Sequence, residues 1–272
     1  MSESLPFEEI RASNLGVRVA TTPWEVKAAQ ALRYRVFYEE MGARADAATT
    51  ASGLDADAYD AVADHLLVVD HDRGEGSESV VGTYRLIRRG AAERLGRFYS
   101  EDEYDITRIL DYPDGILELG RSCTDIAYRT RGTLQLLWRG IAAYVYNHKI
   151  GLMFGCASLP GTNLDANAAQ LSYLAHHHQA PEHLCPRALA SRYVPMGRLP
   201  AGSYDPKAAL MSLPPLIKGY LRLGGYVGDG AVLDEQFNTT DVAIVVMTDQ
   251  VTDKYYKHYE RKVGWDGNDR VA

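Results

Sequence analysis

The stretch from Ile116 to Ala157 constrains the fold more than any other part of the chain. Ile116 to Tyr128 reads as a strand, and Arg129-Thr130-Arg131-Gly132 interrupts it. Leu134, Leu137, Trp138, Ile141 and Val145 then recur at helical spacing, and Leu152 to Ala157 is a continuous apolar run of strand length. A strand, a one-sided helix and a second buried strand bury their apolar faces together only if the helix packs on a sheet.

The upstream signals agree. Val17 to Ala20 reads as a short strand, and Thr22-Pro23-Trp24-Glu25 is a capping box with proline at the first helical position, predicting a helix to about Met41. His65 to Asp70 and Val80 to Arg88 flank the turn-rich Asp72 to Ser79 and form a hairpin. Between them, Ala43 to Ala63 has no clear period and predicts a mobile surface segment, a candidate lid. Downstream come a helix near Asp165 to His176, a short helix between Pro214 and Gly224, and a strand over Val242 to Thr248. The fold class is α+β, with a core over 17–160, a part packed on it over 161–250 and a polar tail over 251–272.

With 272 residues, 46% of them hydrophobic, the chain is long enough to close a substantial core. A net charge of −7 argues against nucleic acid as a partner. The three cysteines are too sparse for a disulfide scaffold, no stretch approaches a membrane-spanning length, and Met1 to Ile10 lacks a signal-peptide core. These features together predict a cytoplasmic protein.

Several charges sit where strands and helices should bury apolar groups. Arg33 and Phe37 share one face of the first helix, and an inward arginine needs a partner, for which Asp60, Asp64 and Glu118 are the candidates. In Leu117-Glu118-Leu119-Gly120-Arg121-Ser122-Cys123 a charge lies on each side of a glycine. A bulge at Gly120 would turn both side chains toward one cleft and free backbone N–H groups. Arg85 is a third cation within a strand. Such a set predicts either a polar-ligand pocket or a structural ion network. Arg129 to Thr133, where a strand passes into a helix, favours an anion such as a phosphate.

The strings LRYRVFYEEMG (32–42), DHLLVVD (64–70), VVGTYRL (80–86), LELGRSC (117–123), LLWRGIA (136–142), FGCASLPGT (154–162) and PPLIKGYLRLGGYVGDGAVLDEQFNTTDV (214–242) resemble the bacterial ornithine N-acyltransferase family. More distantly, Arg33, Phe37, Asp60, Asp64, Arg85, Glu118 and Arg121 are similar in order and spacing to the signature of the acyl-homoserine-lactone synthases. Both families belong to the GNAT acyltransferases. The resemblance implies a GNAT-like mixed sheet with a bulged central strand. It implies transfer of a 3-hydroxyacyl chain from acyl carrier protein to the α-amine of ornithine, with the donor's acyl-phosphopantetheine as substrate and no bound cofactor. Leu134 stands where classical GNAT enzymes usually carry Gly or Ala in the pyrophosphate loop, which fits a carrier-protein donor.

On this reading Glu118 and Arg121 are catalytic, Glu118 as base and Arg121 beside the oxyanion. Arg33, Phe37, Asp60, Asp64 and Arg85 bind substrate. Arg129, Arg131, Gly132 and Arg139 receive the carrier protein and its phosphopantetheine. The competing readings are another amino-acid N-acyltransferase, a metal site at His176-His177-His178, His183 and Cys185, an acyl relay through Cys123 or Cys156, and peripheral membrane contact through the basic, aromatic Lys254 to Lys262.

Overall fold

The computed structural model describes residues 7–248, so the readings made for the tail over 251–272 lie outside the described residues. The chain opens with strands β1 (Ile10–Ala12) and β2 (Leu15–Val19), then helix α1 (Pro23–Tyr34). Thr22 and Glu25 form the expected capping box. The helix widens into a π-helical turn over Arg35–Glu40, so the predicted span to Met41 changes pitch in its last third.

Next come α2 (Ala47–Ser52) and a 3₁₀ turn over Ala58–Ala61. Then β3 (Asp64–Asp70) and β4 (Val80–Arg88) pair antiparallel as the expected hairpin, and α3 (Arg89–Leu95) follows. The remaining elements are β5 (Tyr104–Asp105), α4 (Thr107–Leu110), β6 (Gly115–Thr124), α5 (Arg131–Asn147), β7 (Ile150–Pro160), α6 (Ala168–His177), β8 (Arg187–Ala188), α7 (Pro206–Ser212), α8 (Pro215–Arg222), β9 (Tyr226–Asp234) and β10 (Thr239–Met247).

The strands form one mixed sheet in the order β1-β2-β3-β4-β6-β7-β10-β9-β8-β5, with β6 and β7 a parallel pair near its centre. Residues after 160 complete this sheet, because β10 pairs with β7 along its whole length.

The period of two along β3 assigns the layers. Leu66 and Val68 pack with Leu137, Ile141 and Val145 of α5 and Ile217 of α8, whereas Leu67 and Val69 pack with Ala28, Ala29 and Leu32 of α1. The helices therefore cover both faces. On β6 the same alternation sends Leu117 and Leu119 to the α5 face and Glu118 to the opposite one.

The segment predicted as a mobile lid is instead anchored in its second half. Asp57 caps the 3₁₀ turn, and Asp55 and Asp60 are buried beneath α1. Their inward arginine partners hold this stretch down, which a composition-based reading of an aperiodic segment does not register.

Candidate active site

The site is a break in the sheet. Parallel pairing between β6 and β7 ends at Glu118↔Phe154, after which β7 continues against β10 alone. At the point of divergence Gly155 has φ +154°, and a Cβ there would lie 2.1 Å from the Leu119 carbonyl oxygen. Only glycine permits so close an approach. On the other side of β6, Thr83 opposes Cys123 and Arg85 opposes Gly120, so β6 carries one residue more than β4. This is the expected bulge, and Arg121, at φ +50°, takes the left-handed conformation.

A cavity of about 700 Å³ fills the break. One set of its walls, Tyr84, Leu119, Leu134, Leu137, Ala157 and Tyr220, belongs to the α5 and α8 side. Arg85, Glu118, Cys156, Ser158 and Asp241 line it from the other face. The cavity thus passes through the sheet, apolar at one end and charged at the other.

Beside it, three arginines interlock with three aspartates. Arg33 is fully enclosed. It donates to both Asp60 oxygens at 2.9 and 2.7 Å, pairs with Asp55 at 2.7 Å, and donates to the Asp55 carbonyl. Arg85 reaches Asp57 at 2.6 Å and Asp60 at 3.3 Å, with its guanidinium over the rings of Tyr59 and Tyr99. Arg121 pairs with Asp55 at 3.1 Å and Asp57 at 3.6 Å, donates to the Tyr99 hydroxyl, and lies 4.9 Å from the Phe237 ring centroid. Burial alone would raise the Asp60 carboxyl, but the Arg33 hydrogen bonds and the charges of Arg33 and Arg85 hold it well below its ordinary range.

Glu118 is buried and accepts from Tyr99 N at 2.9 Å, Ser100 N at 2.6 Å and Ser100 Oγ at 2.5 Å. Burial pushes its carboxyl upward, against the pull of these donors. It thereby pins the turn over residues 98–102 that presents Tyr99 to Arg85 and Arg121. Across from it, Glu103, Asp234 and Asp241 bring carboxylate oxygens within 4.8 Å of one another.

The expected residues thus divide by place. Arg85, Glu118, Arg121 and Phe37 line the cavity, with Phe37 edge-on to Phe237 at 5.7 Å. Arg33 and Asp60 lie behind the wall. Asp64 does not partner Arg33: it opens β3 at the end nearest the network but on the strand's α5 face, where it accepts from the Tyr144 hydroxyl and pairs with Arg88 at 3.2 Å. Arg129 and Arg131 are exposed at the mouth by the α5 N-terminus, with Arg129 held by Glu40 through Nη2 at 2.7 Å. Gly132 is exposed in the first turn, and Arg139 lies half-buried farther along α5, outside the cavity lining.

The rival constellations are not assembled. Among the described residues His176 bonds Tyr204 and His178 bonds Tyr173, and neither joins Cys185. Burial pushes the Cys123 thiol up to about 12 and the Cys156 thiol well above its usual value, which keeps both protonated and poorly nucleophilic. Sequence reasoning missed Asp55, Asp57, Tyr99, Glu103 and Asp241. Asp241 carried a usable signal, as a carboxylate inside the apolar strand Thr239–Met247.

A mixed sheet opened at a bulged central strand, with a pocket running through the opening, is the architecture of a GNAT acyltransferase. The family described as an acetyltransferase (GNAT) domain matches residues 32–139. The chain is 46% identical over 252 residues to the L-ornithine N(alpha)-acyltransferase of Brucella abortus (strain 2308), covering 92% of this chain and 90% of that one. It is 45% identical over 257 residues to the enzyme of that name from Rhizobium meliloti (strain 1021), covering 93% and 87%. It belongs to the L-ornithine Nα-acyltransferase family and is an enzyme. Among solved structures it is similar to the AHL synthase LasI, at 13% identity and TM-score 0.45, covering 86% of this chain and 89% of that one.

Proposed function

We propose that this enzyme moves a 3-hydroxyacyl chain from acyl carrier protein to the α-amine of ornithine, giving lyso-ornithine lipid. The observation that carries the reading is the cavity through the sheet. Its apolar arm, between α5 and α8, suits an acyl chain, and its charged arm suits an amino acid. The two substrates meet in the break between β6 and β7.

The amine must be neutral to attack the thioester carbonyl. Glu118, whose proton affinity is raised by burial, takes the proton directly or through a water. The nitrogen bonds to the carbonyl carbon, the C–S bond breaks, and the phosphopantetheine thiolate leaves with a proton. The amides of Arg121 and Ser122, set apart from the β4 register by the bulge, face the developing oxyanion, and the Arg121 guanidinium adds charge. The Arg33, Asp60 and Arg85 network fixes Arg121 through Asp55 and Asp57, so these residues position rather than touch the acceptor. Phe37 lines the channel, and Arg131, with Arg129, Gly132 and Arg139, forms the docking side for the acidic carrier protein. The donor arm carries the acyl group, so no resident cofactor takes part.

The test is incubation of the purified protein with 3-hydroxyacyl carrier protein and a panel of amino acids, read by mass spectrometry. N-Acylornithine as the main product is the expected result. No acylation from the carrier-bound donor would overturn it.

A further inference from the structure

The mechanism above leaves one buried group of the cavity unused. Asp241 sits within β10, opposite Ser158 of β7, and Glu103 faces it from the turn before β5. Both side chains are more than nine-tenths buried and line the cavity. Glu103 Oε2 and Asp241 Oδ1 have no hydrogen-bond partner, although Glu103 also pairs with Arg192 at 3.3 Å. A buried carboxylate oxygen without a donor is unfavourable unless a cation or a hydrogen-bond donor stands beside it.

We propose that Glu103, Asp241 and Asp234 form the pocket for the side-chain ammonium of a diamino-acid acceptor, and so decide which amino acid is acylated. This rests on the reaction proposed above and names the part of the site that reads its acceptor. Three acceptors tetrahedrally placed about 2.8 Å from one ammonium nitrogen stand about 4.6 Å apart, a spacing inside the 4.8 Å outer limit that separates oxygens of the three carboxylates. The same oxygens are also able to ligate a divalent cation, and the chelator arm of the experiment below separates the two occupants.

The position fits the reaction. Glu118 is joined to this cluster through Ser100, whose hydroxyl donates to Glu118 and accepts from Cys156 Sγ at 3.7 Å. Cys156 and Asp241 lie on the same face of neighbouring strands. An acceptor anchored by its far end here places its α-amine toward Glu118 and the break. Burial first, and then mutual repulsion with Asp241, raises the Glu103 carboxyl, while burial raises that of Asp241. An ammonium set between the two carboxyls favours their charged forms, so its binding is accompanied by proton release.

The experiment compares ornithine with norvaline, which has the same carbon skeleton without the terminal amine. Binding is read by calorimetry and turnover by mass spectrometry, for the wild type, Asp241→Asn and Glu103→Gln. The wild type is expected to bind ornithine in strong preference to norvaline. Each variant is expected to weaken ornithine binding by about thirtyfold or more and to lower the ornithine-to-norvaline ratio of kcat/KM by a similar factor. Ornithine binding by both variants as tight as in the wild type would overturn the site. So would equal losses for both acceptors, or an ornithine preference abolished by a chelator and restored by magnesium or calcium. Failure of the wild type to acylate either acceptor, with ornithine binding still dependent on Asp241, would overturn the proposed reaction and leave the ammonium pocket standing.

Discussion

Replacing Asp60 with asparagine keeps the shape of the buried network and removes one charge from its centre. Asp60 accepts from Arg33, Gln30 and Arg85, with its oxygens almost wholly enclosed. After the change Arg33 still has Asp55 and Arg85 still has Asp57, at 2.7 and 2.6 Å, so neither cation is orphaned outright. The loss therefore falls at the lower end of the range for a broken buried pair, about 3 kcal/mol. For a chain of this size that lowers Tm by about 6–12 °C. The sign with pH follows from the depressed carboxyl. Its stabilisation is complete above the ordinary value of 3.8 and is lost as pH falls below it. The gap between wild type and Asp60→Asn is thus widest near neutrality and closes below about pH 4. Urea denaturation across that range measures it. A gap under about 1 kcal/mol at pH 7, or one that widens in acid, would refute the claim that Asp60 binds the network together.

Three further outcomes follow from the same geometry. Glu118→Gln sets an amide N–H₂ against the N–H groups of Tyr99 and Ser100. It is expected to stay folded with a stability loss of about 1–3 kcal/mol and a kcat reduced by about a hundredfold or more; wild-type turnover would remove Glu118 from the chemistry. Arg131→Glu is expected to raise KM for acyl carrier protein by about tenfold and flatten its salt dependence, measured by initial rates against ionic strength. Gly155→Ala drives a Cβ toward the Leu119 carbonyl and is expected to cost about 3 kcal/mol, with poor activity even in the folded fraction, checked by calorimetry and a single-turnover assay.

Much of the fold was legible because its signals are local. Thr22 and Glu25 cap α1 through neighbours three residues apart, and the bulge is announced by a glycine between two charges. Arg33, Arg85 and Arg121 stood out as cations on elements that had to be buried, and the structure brings them together. Their partners were harder to read. Asp55 and Asp57 lie in an aperiodic stretch rich in small residues, and only the arginines from α1, β4 and β6 give them meaning. Asp64 looked equivalent to Asp60 in sequence. One sits under the helix and the other at the start of β3 against Tyr144, and spacing alone does not separate them. The acidic wall was least legible, because Glu103 and Asp241 meet only through pairing between distant strands.

The placement of β10 between β7 and β9 also governs how the molecule can be made. On the ribosome, α5 and β7 emerge long before their last neighbour, so the edge of β7 and the apolar patch awaiting Val242, Ile244 and Val246 stay uncovered until residues 239–247 have been synthesised. A nascent polypeptide released short of residue 239 would present a bare strand edge in search of a partner, a template for aggregation rather than a smaller working enzyme.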